Sequence, residues 1–111
     1  EMCIRDRVSG HFISMLAVIF RARINELDDE YHATAKRMRD LAMNKYGCID
    51  FYSVSEGDEE IAISYWHNED DIKAWKADAE HRAAQEQGRN KWYRSYRVDI
   101  TRIERSYSEK Q

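Results

Sequence analysis

The 111-residue sequence predicts an α+β domain of ferredoxin-like β-α-β-β-α-β plait, and three observations lead there. Four segments carry strand character, with apolar and polar residues exchanging sides at a period of two. Two segments between them repeat apolar residues at three and four, behind an asparagine able to cap a helix. No proline, internal repeat or low-complexity run separates them, so the elements belong to one unit.

Met15–Ile24 (MLAVIFRARI) opens the domain as a strand, apolar at first and then alternating, with Phe20, Ala22 and Ile24 opposite Arg21 and Arg23. Asn25 is placed to cap a helix with Asp28 at its third position, both favourable to exposed N–H groups. Leu27, Tyr31, Thr34/Ala35, Met38 and Leu41/Ala42 form its apolar stripe, and Gly47 supplies the stop. Cys48–Ser55 and Glu60–Trp66 are two strands of a hairpin, and the acidic run Glu56–Glu60 reads as its exposed tip. In the second, Ile61, Ile63 and Tyr65 share one face and Ala62, Ser64 and Trp66 the other; with neither face strongly polar, this strand belongs inside the sheet. Asn68 caps the next helix with Asp71 at N3, and Ile72, Trp75 and Ala79 face inward. A second short helical stretch is expected over Glu80–Gln87, stopped by Gly88. Tyr93–Ile103 closes the sheet, with Tyr96, Val98 and Ile100 opposite Arg97, Asp99 and Thr101.

These boundaries place the domain at residues 14–107, with an N-terminal extension over 1–13 and a tail over 108–111. Within the extension, MCIRDRVSG resembles translated sequencing-adaptor read-through and has no apolar core of a signal peptide. A domain of this size buries only about two-thirds of the surface it exposes when unfolded. Its sheet also has a second apolar face that two helices leave uncovered. Packing two such sheets face to face, as in a dimeric α+β barrel, answers both problems, so a homodimer is expected.

Composition excludes several classes. A net charge of −3, with 18 basic and 21 acidic side chains mixed along the chain, offers no footprint for nucleic acid. The longest apolar run, Met15–Phe20, is far short of the roughly 20 residues of a membrane span. Cys3 and Cys48 form no disulfide framework and no zinc spacing, which fits a cytoplasmic setting with Cys48 as a buried thiol. His11, His32 and His67 form no spaced set with carboxylates or cysteines, so no metal is expected. Nucleophile motifs, phosphate-binding glycine loops and paired carboxylates are likewise unrecognisable.

The stretch SYWHNEDDIKAWKADAEHRAAQEQGR, followed by YRVDITRIERSY, resembles the C-terminal half of the antibiotic biosynthesis monooxygenase (ABM) family. Its members often run strand-Trp, acidic helix start, a further Trp, then His-Arg-Ala-Ala-Gln. The resemblance covers Met15–Tyr107 in element order and is specific across Ser64–Arg89. It implies a dimeric barrel with a cavity between sheet and helices, and either cofactor-free oxygenation of phenolic molecules or haem degradation. In the haem-degrading members a helix tryptophan contacts the porphyrin and a later histidine ligates iron. Aligning that tryptophan on Trp75 puts Gln85 at the ligand position, where glutamine is a poor ligand; His81 lies one turn earlier. The first strand also lacks the asparagine those members carry. The resemblance thus favours a monooxygenase without metal, flavin or haem, with haem degradation and a non-catalytic ligand-binding dimer as alternatives.

A cofactor-free oxygenase needs an apolar pocket, a proton acceptor and donors for the resulting anion. Phe51, Tyr65, Trp66 and Tyr93 are the candidates for binding a small aromatic substrate, and His81, Trp75 and Arg89 for the chemistry. His81 would be the base, since histidine titrates near neutrality, and Arg89 would hold the anion. Trp66 and Trp75 fit core positions equally well, His81 fits a helix-end hydrogen bond, and Arg89 a solvated surface.

Overall fold

The computed structural model describes residues 15–25, 29–85 and 92–109, with 80–85 described by backbone path alone. The element order is β1 (Leu16–Ile24), α1 (Asp29–Asn44), β2 (Asp50–Glu56), β3 (Glu59–Trp66), α2 (Glu69–Gln85) and β4 (Tyr93–Arg102). The four strands form one antiparallel sheet in the order β2-β3-β1-β4. This is the expected plait, with β3 inside the sheet.

Register decides which side chains meet the helices, because successive residues of a strand point to opposite faces. Leu16 pairs with Trp66, Val18 with Ser64 and Phe20 with Ala62, so these share the helix-facing side. Phe51 and Ser53 join them from β2, and Val98 and Ile100 from β4. The other side carries Ile19, Ile61, Ile63 and Tyr65 at its centre, with Tyr52 and Val54 beside them, 59% and 67% exposed.

Asn68 caps α2 as expected, its Oδ1 accepting from the Asp71 amide at 2.9 Å. The helix then runs unbroken to Gln85, so the separate stretch expected from Glu80 is its continuation. Nothing between Glu69 and Gln85 interrupts the backbone hydrogen bonds: the segment has no glycine or proline. α1 is described from Asp29, and the expected Asn25–Asp28 cap and Leu27 fall at or beside residues 26–28, outside the described ones. At its far end Gly47 adopts φ +80°, as the stop signal requires, and Gly57 turns the hairpin at φ +63°.

The packed core lies at the α1 C-terminal end of the helix layer. Leu16, Val18, Ala42, Cys48, Trp66 and Ile72 form it, with Tyr46, Phe51 and Trp75 against it. Cys48 is the expected buried free thiol; burial pushes its pKa up, and its Sγ lies 3.1 Å from the Asp50 carbonyl. The Tyr46 hydroxyl reaches across to donate to Asp78 on α2 at 2.8 Å. No helix among the described residues is long and apolar enough to cross a membrane.

Ile72→Ala opens a cavity in this core and should destabilise the fold by about 2–5 kcal/mol. Asn68→Ala removes only the α2 cap, for about 1 kcal/mol. Urea unfolding checks both, and an equal loss would contradict the placement of the core.

Candidate active site

Beside that core, and sharing Val18 and Ile72 with it, helices and sheet leave a cavity of about 610 Å³ between them. Its floor is the helix-facing side of the sheet, including Val18, Phe20, Phe51, Ser53, Ala62 and Ile100. Its roof is α1 and α2, through Tyr31, Thr34, Met38, Ile72 and Trp75. Because β4 is an edge strand beyond the reach of the helices, Tyr96, Val98 and Ile100 face this side yet stay exposed.

One end of the cavity is a tryptophan-phenylalanine wall. Trp75 stands edge-on to Phe51 at 6.2 Å and against Trp66 at 5.6 Å, and its Nε1 donates to the Met38 carbonyl at 2.9 Å, which fixes the ring on α1. The other end is tyrosine-rich. Tyr31 packs edge-on against Trp92 at 5.3 Å and Tyr93 at 6.1 Å, while Tyr93 meets Phe20 at 5.5 Å and Tyr96 at 5.9 Å.

A β-bulge makes this second end possible. The β1–β4 register shifts between Arg23 and Ile24: Ala22 pairs with Tyr96 and Arg23 with Ser95, but Ile24 pairs with Tyr93. The extra residue, Arg94, lets Tyr93 and Tyr96 both turn toward the cavity, where strict alternation would separate them. Trp92 then lies under α1, only 2% exposed, and its carbonyl accepts from the Asn25 amide at 2.6 Å.

Glu60 supplies the charge here. The Tyr31 hydroxyl donates to its Oε1, and Tyr31 is only 5% exposed. Burial first, then the bond to Glu60, hold the Tyr31 phenol far above its ordinary value. Burial and the neighbouring Glu60 charge push Tyr93 up to about 12. Both phenols therefore keep their protons at neutral pH. The remaining charged lining side chains among the described residues, Lys36, Arg39 and Lys76, stand on the helices at the rim, with His32.

Three of the sequence-nominated residues, Phe51, Trp75 and Tyr93, line this cavity. Two do not. Trp66 is fully buried beneath Trp75, its Nε1 donating to Ser64 Oγ at 2.8 Å, so it is core. Tyr65 alternates to the opposite face of the sheet. His81 falls on α2 with its side chain, like that of Gln85, outside the described residues, and Arg89 lies outside them altogether. Sequence reasoning missed Tyr31 and Trp92 as cavity residues and took Glu60 for part of an exposed hairpin tip. Its parity with Ala62, Ser64 and Trp66 was the available signal.

Since Tyr93 ionises near 10 when unfolded and about 12 when folded, its contribution to stability is complete below pH 10 and lost as pH rises toward 12. Tyrosinate absorbance of the native protein should therefore lag behind that of the urea-unfolded chain over this window, and Tyr93→Phe should shrink the lag. Superimposed titrations would contradict the buried placement.

Comparison with known proteins places the chain. A family model described as antibiotic biosynthesis monooxygenase matches residues 15–87. YqjZ of Bacillus subtilis (strain 168), described as uncharacterized, is 42% identical over 90 residues, covering 80% of this chain and 79% of that protein. The jasmonate monooxygenase ABM of Pyricularia oryzae is 30% identical over 93 residues, 80% of this chain; the match spans 43% of that longer protein. In structure, SnoaB, a cofactor-independent oxygenase from Streptomyces nogalater, superposes with a TM-score of 0.69 at 11% identity, covering 86% of this chain and 99% of SnoaB, a likeness of fold. With the family model matching well over half its length, the chain belongs to the antibiotic biosynthesis monooxygenase family.

Proposed function

We propose that the chain is a monooxygenase that uses no cofactor, takes a small, largely apolar, electron-rich molecule of phenol, quinol or anthrone type into the cavity, and works as a homodimer. The observation that carries this is the cavity itself: about 610 Å³, within the range of small-molecule sites, walled by aromatic rings with a few polar groups at one end. Family membership supports the reaction class, as do the activities named for SnoaB and the jasmonate monooxygenase.

For an anthrone-type substrate the chemistry balances with dioxygen alone. The substrate's ring methylene loses a proton, and the delocalised anion supplies the electrons that reduce dioxygen. One oxygen atom stays on that carbon as a new carbonyl, and the other leaves as water with the two hydrogens the methylene has lost. The protein must orient the molecule, exclude bulk water, accept the proton and stabilise the anion. His81 and Arg89 are the sequence's nominees for the last two tasks.

The homodimer is supported by the sheet face opposite α1 and α2, which no helix among the described residues covers. Ile19, Ile61, Ile63, Tyr52 and Val54 form an apolar patch there, and a second copy would bury it.

Purified protein should consume oxygen with dithranol, an anthrone, at a rate well above the uncatalysed reaction, and Trp75→Ala, which removes a cavity wall, should lower it at least tenfold. Binding without oxygen uptake would instead assign a ligand-binding protein. Equimolar haemin should leave its Soret band unshifted; a shifted band with haem turnover would overturn the cofactor-free assignment. Light scattering should give twice the 13.3 kDa chain mass, and Val54→Lys should shift it toward one; a wild-type monomer at micromolar concentration would defeat the dimer.

A further inference from the structure

We propose that Glu60, with Tyr31 and Tyr93, forms the end of the cavity where the hydroxyl of a phenolic or enolic substrate docks, and that the Glu60 carboxylate accepts its proton. The docking stands on geometry alone; the proton transfer deepens the oxygenase function above and rests on it.

Glu60 faces the helix layer from β3, between Ala22 on β1 and Ser55 on β2 in register. Both neighbours are small, so the carboxylate stands clear of the floor. A carboxylate offers about four acceptor positions, and the Tyr31 hydroxyl occupies one while fixing the group's orientation. A hydroxyl entering the slot beside Phe20 and Tyr96 would meet the remaining positions on Glu60. After proton transfer its oxygen would lie beside the Tyr93 phenol, which retains its O–H.

A carboxylate among aromatic rings also suits an organic cation. The rim argues for the hydroxyl: Lys36, Arg39 and Lys76 line the approach, and Glu60 is the one carboxylate among the described lining residues. An ammonium ligand would have to pass like charges, whereas a neutral or weakly acidic phenol would not.

In the reaction, one hydrogen of the ring methylene moves to the substrate oxygen in its enol tautomer; that O–H bond breaks and its proton forms an O–H bond on Glu60, leaving the electron pair on the substrate. That pair is delocalised onto ring carbon, where dioxygen is reduced and bonds. The oxygenated carbon then loses its own hydrogen as the O–O bond breaks, leaving a ring carbonyl; the second oxygen departs as water with that hydrogen and the Glu60 proton, and the carboxylate is restored.

The test compares 2-naphthol, 2-methoxynaphthalene and 2-(aminomethyl)naphthalene by calorimetry, alongside dithranol turnover. Wild type should bind 2-naphthol about tenfold more tightly than its methyl ether, the scale of one hydrogen bond to a charged group. Glu60→Gln still accepts from Tyr31 and should fold; it should bring naphthol and ether to near equality and lower dithranol kcat roughly 100-fold. Tyr93→Phe, which keeps the ring packing, should lower kcat about tenfold and decides the matter if Glu60→Gln does not fold. A wild type without the naphthol preference, or one favouring the ammonium, overturns the site. Full turnover by Glu60→Gln or by Tyr93→Phe also overturns it while leaving the oxygenase function standing. A wild type that prefers naphthol but consumes no oxygen supports the docking site and removes the oxygenase function instead.

Discussion

Side-chain alternation across four paired strands governs this molecule. Because Leu16, Val18, Ser64 and Trp66 fall on one face in register, two helices can bury them at one end of the sheet. The same parity carries Phe20, Glu60, Ala62 and Val98 onto that face farther along, where they line the cavity. Core and cavity are thus adjoining parts of one surface, meeting at Val18 and Ser64. A one-residue slip would move the apolar set and Glu60 together to the opposite side.

The two parts have different chemistry because their side chains satisfy polar groups differently. At the core end the indole N–H groups of Trp66 and Trp75 are bonded to Ser64 and Met38, which fixes both rings. The tyrosine end instead holds a carboxylate bonded by the Tyr31 phenol, with a second protonated phenol nearby. Burying such a group costs free energy unless it is hydrogen-bonded, and the Tyr31 bond offsets part of that cost. Its remaining acceptor capacity is what makes this end suited to a hydroxyl donor.

Much of the fold was legible in the sequence because local signals agreed with the global one. Asn68 caps α2, Gly47 and Gly57 turn the chain at positive φ, and alternation in Glu60–Trp66 gives the two faces of β3. The candidate site was only partly legible. Phe51, Trp75 and Tyr93 could be nominated as aromatic residues near strand ends or on a helix stripe, but so could Trp66 and Tyr65, and only packing and register separate them. Tyr93 reaches the cavity through a bulge, which shows in the pairing of β1 with β4 and in no local pattern. Glu60 was concealed by its acidic neighbours: composition assigns Glu56–Glu60 to solvent, while strand parity turns one of the run inward.

The position of a bound hydroxyl is the most direct measure of this chemistry. A crystal structure of the protein with 2-naphthol should place the ligand ring against the packed rings of Phe20 and Tyr96, with its oxygen about 3 Å from the Glu60 carboxylate and beside the Tyr93 hydroxyl. A ligand on the opposite sheet face, or one seated in the cavity with its hydroxyl turned to the helix rim, would contradict it.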